Sequence, residues 1–173
     1  DAGCITTNYK KYYKKAISLR NIGNYNNRNK SDCNVVGINS RMDTIQSIVL
    51  SIKLKTINKL NQKRIKIAAN YNKNINNKNI KKLNYSTGSV YHQYVIKTKK
   101  KNNLIKKLKK NKIEYGIHYA TSINKLRFYK NTFKELSFPN AEDLAAKCIS
   151  LPIDPYLSKR EQNKIINILN NFK

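Results

Sequence analysis

The sequence predicts a small α/β domain, in which helices cover a three- or four-stranded sheet and a long helix precedes that sheet. Three observations predict this fold class. Apolar residues recur at helical spacing over a long stretch after Asp43. Short segments rich in β-branched and aromatic residues follow and alternate with further helical patterns, as in helices packed on one sheet. Two serines precede an acidic residue by three positions, which is the spacing of a capping box at a helix start.

The first 39 residues are predicted to form a strand, a helix and a loop. The strand is expected over residues 1–7, and a basic helix over residues 9–19 ends near Gly23. Residues 23–34 start with a glycine, are polar and show no periodicity, which indicates a loop. The predicted loop covers residues 24–39.

The predicted long helix begins with a capping box. Ser40 has the position of the N-cap hydroxyl, and Asp43 has the position of the acid at N3. One helix face is apolar and contains Ile45, Ile48, Val49 and Ile52. The pattern continues to about Tyr71. A helix of this length exceeds what one small core needs, so it is predicted to link two domains.

The remaining chain is predicted to alternate strands and helices. Three segments are predicted to contain strands: residues 89–98, 112–119 and the beginning of 150–155. Three helices are predicted: residues 102–111, a helix capped by Asn140, and a final helix that starts with the capping box of Ser158 and Glu161. The strand 112–119 should have one buried face, formed by Ile113, Tyr115 and Ile117.

The formal net charge of +27 would ordinarily indicate a nucleic-acid or membrane partner. Lysine, asparagine and isoleucine dominate throughout, however, and all three have A/T-rich codons, so genome composition accounts for the excess. No specific nucleic-acid partner is therefore expected, and a basic nucleic-acid-binding module remains the third hypothesis. The chain has no apolar run of about 18 residues, so neither a transmembrane helix nor a membrane partner is predicted.

Cysteine and histidine usage indicates a reducing compartment and no metal site. The three cysteines are an odd number without metal-type spacing, so free thiols in the cytoplasm are expected. Two histidines make a zinc site unexpected. The sequence begins at Asp1 rather than at a methionine, and we therefore expect a fragment or a processed product.

The turn before the long helix is a candidate anion site. Asn39 and Ser40 lie at the predicted helix N-terminus, where free N–H groups and the helix dipole favour an anion. Gly37 would let the backbone approach closely. Arg41 could pair with a carboxylate or a phosphate. From spacing alone, an ordinary capped turn with a solvated arginine is the simpler interpretation.

His118 and Tyr119 are candidates because they end a predicted strand and lead into the longest loop after it. Loops at the ends of strands often carry chemistry. On sequence alone, a packed or partly exposed histidine is the simpler interpretation. The sequence offers no Ser–His–acid set, no paired carboxylates and no phosphate-binding glycine loop.

Several segments resemble, in order and spacing, the C-terminal half of the DegT/DnrJ/StrS family. They read DAGCITTN, LRNIG, VVGINSRMDTIQSIVLSIKLK, SVYHQYVIKT, GIHYATSINKLRFYK and FPNAEDLAAKCISLPIDPYLSKREQ. Members of that family are pyridoxal-phosphate-dependent aminotransferases that act on nucleotide-linked keto sugars. The resemblance implies a fold-type-I aminotransferase with glutamate as the usual amino donor.

The resemblance also implies a domain organisation. Residues 1–23 would be the tail of the large cofactor domain, residues 24–39 a loop, and residues 40–173 the linking helix and the small C-terminal domain. The cofactor-binding lysine and the acid that pairs with the pyridine nitrogen lie upstream of Asp1 in the family pattern. No catalytic residue is therefore expected in this chain, and the chain alone is expected to be inactive.

The resemblance assigns roles to the candidate residues. Asn39 would bind the cofactor phosphate of the neighbouring subunit in a homodimer, and Arg41, His118 and Tyr119 would contact substrate. The chain departs from the family pattern where Ser31 and Cys33 replace a tyrosine or lysine and a histidine, and where Asn124 replaces a histidine. A noncatalytic remnant or dimerisation domain is therefore the second hypothesis.

Overall fold

The structure is a computed structural model that describes residues 3–25, 33, 35–129, 131–134 and 136–173. The chain divides into two compact units, Asp1–Lys55 and Thr56–Lys173. The described residues of the first unit form two helices, α1 (Lys10–Arg20) and α2 (Thr44–Leu54). The second unit contains a small sheet and its helices. Ser31 and most of the predicted loop up to residue 34 lie outside the described residues.

The N-terminal part of the first unit agrees with the predicted helix but not with the predicted strand. Helix α1 matches the basic helix expected over residues 9–19. The described residues Gly3–Thr7 form no strand and are exposed. A strand needs a neighbour that accepts its backbone hydrogen bonds, and these residues have none in the described part of the chain.

Helix α2 begins three residues later than predicted. Its N-cap is Asp43, with extended backbone angles (φ −70°, ψ 151°), and the Asp43 N–H donates to Oε1 of Gln46 at 3.2 Å. The prediction of Ser40 as N-cap is wrong. The N–H of Ser40 donates instead to the carbonyl of Arg20 at 2.9 Å, which holds Ser40 in an extended segment before the helix.

The long helical pattern after Asp43 is present as two helices. Helix α2 ends at Leu54, and α3 (Ile57–Asn74) follows after Lys55 and Thr56. No residue of α2 is buried. Helix α3, in contrast, buries Ile67, Ala68 and Tyr71 in the core of the second unit.

The second unit has a three-stranded antiparallel sheet in the order β1-β2-β3. The strands are β1 (Lys81–Lys82), β2 (Tyr94–Lys97) and β3 (Cys148–Leu151). The register places Tyr94 opposite Leu151 and Lys82 opposite Ile96. This small sheet with its helices confirms the predicted fold class.

Strand β1 lies in the polar segment of residues 72–88, where the sequence predicts no strand. Its position depends on the burial of Ile75 and Ile80 and on Lys82. The Nζ of Lys82 donates to the carbonyls of Asn72 (2.7 Å) and Ile75 (2.9 Å) at the end of α3. A positive charge at a helix C-terminus is favourable, so Lys82 attaches this short strand to α3.

Two predicted strands are shorter in the structure or absent. The strand expected over residues 89–98 is reduced to β2, because Tyr91 adopts a left-handed conformation (φ 51°) that interrupts the extended chain. The strand expected over residues 112–119 is absent among the described residues. In that segment only Gly116 pairs with the sheet, through two backbone hydrogen bonds to Ser150 (3.0 and 2.8 Å).

The part of the second unit that the structure describes has three more helices and two 3₁₀ turns. The helices are α4 (Lys101–Lys110), α5 (Pro139–Lys147) and α6 (Lys159–Asn170), and the turns are Ile123–Lys125 and Arg127–Tyr129. The capping box predicted for α6 is confirmed, since the Glu161 N–H donates to Oγ of Ser158 at 3.2 Å. The N-cap predicted at Asn140 is wrong. Helix α5 starts with Pro139 at N1, where a missing N–H costs nothing.

The core of the second unit lies between the sheet and helices α3, α4 and α6. Its largest fully buried side chains are Tyr71, Tyr94, Ile75, Ile96, Leu104, Leu108, Ile149, Ile165 and Leu169. The buried tyrosines keep their hydroxyls hydrogen-bonded, because Tyr71 donates to the carbonyl of Pro152 (2.9 Å) and Tyr94 to Oδ1 of Asn72 (2.6 Å). Burial raises the pKa of both phenols. No helix among the described residues has the length and apolarity that a bilayer crossing requires.

Asp143 ties α5 to the sheet. Its carboxylate accepts hydrogen bonds from Nζ of Lys97 in β2, at 2.5 Å, and from Nζ of Lys147. The Lys147 ammonium first, and Lys97 second, lower the pKa of the Asp143 carboxyl from 3.8 to about 2. The Asp143 carboxyl therefore stays charged at pH values at which an ordinary aspartate is protonated.

Acid should weaken the folded state through Asp143. A carboxyl with a depressed folded-state pKa contributes stability above its unfolded pKa and loses that contribution as pH falls toward the folded pKa. We expect the melting temperature of the native chain to fall more between about pH 4 and about pH 2 than that of Asp143→Asn. The difference should be modest, because the side chain is 37% exposed and screened by solvent. Parallel curves for the two proteins would contradict the assignment.

Candidate functional site

The Asn39 turn is attached to the end of α1 by backbone hydrogen bonds. The Ile38 N–H donates to the carbonyl of Leu19 (2.8 Å), and the carbonyl of Ile38 accepts from the Ile22 N–H (3.1 Å). With the Ser40–Arg20 bond, these contacts form an antiparallel bridge between Asn21 and Asn39. The turn is therefore supported by the chain on both sides of Asn39.

Glycine is required at two positions of this junction. A Cβ on Gly37 would lie 2.3 Å from the backbone N of Gly23 and 2.6 Å from the carbonyl O of Leu19. Gly23 has φ +84°, and a Cβ there would lie 1.9 Å from the carbonyl O of Val35. The close approach seen at Gly37 is to the protein's own backbone, and an approach to a bound anion stays a prediction.

Asn39 presents its amide group to solvent. Its Oδ1 accepts a hydrogen bond from Nε of Arg41 at 3.2 Å, and both side chains are exposed. The Nδ2 group of Asn39 has no acceptor within the described part of the chain. The structure thus brings Asn39 and Arg41 together as a neutral donor beside a positive charge, which suits a bound anion.

A shallow cavity of about 350 Å³ adjoins the turn and is lined by Ile22, Cys33, Val35, Val36 and Gly37. Cys33, which departs from the family pattern, donates its thiol to the carbonyl of Ile22 at 3.2 Å. The structure shows free thiols at all three cysteines, as the sequence predicts.

His118 and Tyr119 lie at the surface of the second unit. Nδ1 of His118 is 2.9 Å from Oγ of the buried Ser150 in β3. The ring of Tyr119 stands edge-on to the His118 ring, with centroids 5.6 Å apart, and Tyr119 is 73% exposed. His118 and Tyr119 thus belong to the second unit, whereas Asn39 and Arg41 belong to the first.

Two residues that position His118 were not identified from the sequence. Ser150 holds Nδ1, and the imidazole ring lies directly above Gly116, where a Cβ would be 2.4 Å from Cε1. In the sequence, Gly116 of GIHY lies two residues before His118, and this glycine could have indicated that the ring packs against the backbone. The hydroxyl of Ser150 is 32 residues further along the chain, and no local pattern indicates it.

Gly116→Ala should displace the His118 ring. The added methyl would collide with the ring rather than with backbone, so the ring should rotate away at little cost in stability. We expect loss of the nuclear Overhauser contacts between His118 and Ser150, with a nearly unchanged melting temperature. Ser150→Ala is the matched control, since it removes the hydrogen bond but leaves space for the ring. An unmoved ring in Gly116→Ala would contradict this packing.

Asn124 has a structural partner at the position where the family pattern carries a histidine. It is buried, and its Nδ2 donates to Oε1 of Glu142 at 2.8 Å. The Asn124 amide first, and the Phe138 N–H second, lower the pKa of the Glu142 carboxyl. Asn124 therefore attaches the loop after Tyr119 to helix α5.

The chain resembles known sugar aminotransferases over almost its full length. It is 32% identical over 172 residues to the dTDP-3-amino-3,6-dideoxy-alpha-D-galactopyranose transaminase of Aneurinibacillus thermoaerophilus. That match covers 98% of this chain and 46% of the relative. It is 27% identical over 173 residues to the UDP-2-acetamido-2-deoxy-3-oxo-D-glucuronate aminotransferase of Pseudomonas aeruginosa, covering 99% of this chain and 47% of that protein. The chain thus spans about half the length of these relatives.

Solved structures show the same architecture. The structure of S. venezuelae DesV in complex with a ketimine intermediate superposes with a TM-score of 0.87 at 27% sequence identity. The match covers 95% of this chain and 44% of the DesV chain. The fold is that of the fold-type-I sugar aminotransferases, as the sequence resemblance implied. The profile of the DegT/DnrJ/EryC1/StrS aminotransferase family matches residues 1–170. The chain belongs to this family of aminotransferases.

Proposed function

We propose that this chain is the C-terminal part of a pyridoxal-phosphate-dependent aminotransferase that moves an amino group from glutamate to a nucleotide-linked keto sugar. The observation that carries the proposal is the exposed amide of Asn39, which is held beside Arg41 on a turn braced by Gly37. The two relatives named above act on dTDP- and UDP-sugars, and this supports a nucleotide sugar as the substrate.

Asn39 fits the phosphate of the cofactor. Its Nδ2 is free to donate, and Arg41 orients the amide by binding Oδ1. A hydrogen bond to a charged acceptor contributes about 1.5–3 kcal/mol. We assign the contact to the neighbouring subunit's phosphate in a homodimer. When bound, pyridoxal phosphate supplies the electron-withdrawing ring that allows the amino group to be transferred.

His118 and Tyr119 are proposed to contact the nucleotide sugar, with Arg41 offering charge to a phosphate or a carboxylate. Ser150 holds Nδ1 of His118, so the opposite nitrogen, Nε2, is the one available to a ligand. The exposed Tyr119 hydroxyl can donate to or accept from a sugar hydroxyl. In this role the two residues orient substrate and take no part in the chemistry.

The complete enzyme requires partners that this chain does not supply. In the proposal these are a large domain with the cofactor-binding lysine and a second subunit. The organisation is then a large-domain tail up to residue 23, a loop up to residue 39, and the linking helix with the small domain from Ser40 onward. We place the enzyme in the cytoplasm, where free thiols persist.

The test uses a fusion protein, which we call the joined protein. The chain is fused behind the part of the A. thermoaerophilus transaminase that precedes its matched half, and the product is assayed with glutamate and that relative's keto sugar. We expect stable uptake of pyridoxal phosphate and glutamate-dependent transfer. A folded joined protein without cofactor uptake would contradict the proposal.

A second candidate function is a noncatalytic dimerisation domain. The apolar residues of α2 favour it, because Ile45 is 77% exposed and Leu54 is 71% exposed, and such surfaces mark interfaces. The structural use of Asn124 in place of a histidine also agrees with lost substrate contacts. A joined protein that dimerises but neither holds cofactor nor transfers nitrogen would support this function instead.

A further inference from the structure

The segment from Lys97 to Lys112 carries an unusual density of positive charge. It contains nine lysines: Lys97, Lys99, Lys100, Lys101, Lys106, Lys107, Lys109, Lys110 and Lys112. The sequence has no aspartate or glutamate between Asp43 and Glu114. These lysines therefore have no acidic neighbour along the chain, and any neutralising charge must come from elsewhere in the fold or from a partner.

Three of the nine lysines have structural partners. Lys97 binds the carboxylate of Asp143. Lys101 donates to the carbonyl of Ala145 in α5 at 2.8 Å, and Lys107 donates to a carbonyl just after α6. These contacts account for three positions and leave six.

The other six lysines are exposed, and their ammonium groups make no hydrogen bond or ion pair with any residue that the structure describes: Lys99, Lys100, Lys106, Lys109, Lys110 and Lys112. Lys106, Lys109 and Lys110 are three and four positions apart, so they share one face of α4. We name these three the α4 lysine face. The opposite side of the helix, with Leu104 and Leu108, is fully buried.

We propose that the α4 lysine face binds the phosphate backbone of a nucleic acid without sequence preference. Unpaired ammonium groups on one helix face repel each other, and a row of phosphates relieves that repulsion and releases counterions. Asn102 and Asn103 are exposed on the same helix and can donate to phosphate or sugar oxygens. The inference is independent of the aminotransferase proposal.

A membrane surface fits this face less well. Membrane-bound basic helices place an apolar side in the lipid boundary. The apolar side of α4 is occupied by the protein core, and the exposed residues of this helix are lysines and asparagines. The helix therefore offers the partner charge and amide donors, as in sequence-independent binding to a nucleic-acid backbone.

The test measures binding of the full chain to a short mixed-sequence DNA duplex between about 50 and about 200 mM salt. We expect equal affinity for unrelated sequences and a steep salt dependence. A triple variant with glutamine at positions 106, 109 and 110 should have a negative slope of log K against log salt that is shallower by about 3, one for each lysine replaced. At 0.1 M salt, affinity should fall by about 10²-fold. Each single replacement should make the slope shallower by about 1.

A charge-matched control separates a binding face from net charge. Lys59, Lys66 and Lys73 on α3 are exposed, and their ammonium groups make no hydrogen bond or ion pair with a described residue. Their triple replacement with glutamine removes the same charge and should change the slope by less than about 1. Equal losses in the two triple variants would overturn the proposal. So would absence of duplex binding by the native chain at about 50 mM salt, or tighter binding to phosphatidylserine vesicles than to the duplex.

Discussion

Gly37→Ala is expected to break the junction between α1 and the Asn39 turn. The new Cβ would lie 2.3 Å from the N of Gly23 and 2.6 Å from the carbonyl O of Leu19. Both are backbone atoms, so no side chain can rotate away to relieve the overlap. We expect a destabilisation of about 3 kcal/mol or more in the first unit, the range of severe backbone effects.

Hydrogen exchange at the amides of Ile38 and Ser40 measures this effect directly. Both amides are protected in the native junction by bonds to the end of α1 and should exchange rapidly in Gly37→Ala. Gly3→Ala is the matched control, because a Cβ there meets no atom within 4 Å. Protection that persists in Gly37→Ala would show that the junction tolerates a side chain.

The second large effect is the absence of catalysis by this chain alone. In the function that we propose, the lysine that binds the cofactor belongs to the large domain, upstream of the matched half. We expect no transaminase turnover from the isolated chain with pyridoxal phosphate, glutamate and a keto sugar. Borohydride reduction followed by peptide mapping should find cofactor spread over many lysines. A single defined lysine adduct together with turnover would contradict this expectation.

Local sequence signals predicted the helices well. The capping box of Ser158 and Glu161 starts α6 where expected, because both partners lie within one helical turn. The start of α2 was misplaced because Ser40 and Asp43 also satisfy the spacing. The contact that excludes Ser40 from the helix comes from Arg20, twenty residues earlier in the chain.

Strands were predicted less well, because their extent depends on distant partners. Residues 112–119 alternate as a strand would, yet only Gly116 finds a partner in β3. Strand β1 forms although its residues are lysines, because its neighbours Ile75 and Ile80 are buried. Periodicity reports which side chains can be buried, but not which backbone groups are available for pairing.

Candidate site residues that are neighbours in the sequence could be predicted. Contacts between distant segments of the chain could not. Asn39 and Arg41 lie two residues apart, and the structure brings them together as a donor beside a positive charge. The support of His118 by Ser150 joins two distant segments, so the sequence offered His118 without its partner. The glycine at Gly37 was identified, but its neighbour proved to be the protein backbone.

The affinity of the joined protein for pyridoxal phosphate, measured with and without the Asn39 side chain, tests the assignment of Asn39 most directly. Asn39→Ala should weaken cofactor binding by about 10- to 100-fold, the equivalent of one hydrogen bond to a charged acceptor, with an unchanged melting temperature in the cofactor-free form. Asn163→Ala, an exposed asparagine on α6, should leave the affinity unchanged. In mixed dimers with a subunit that lacks the cofactor lysine, the loss should act across the interface. Unchanged affinity in Asn39→Ala, or a loss confined to the same subunit, would contradict the assignment.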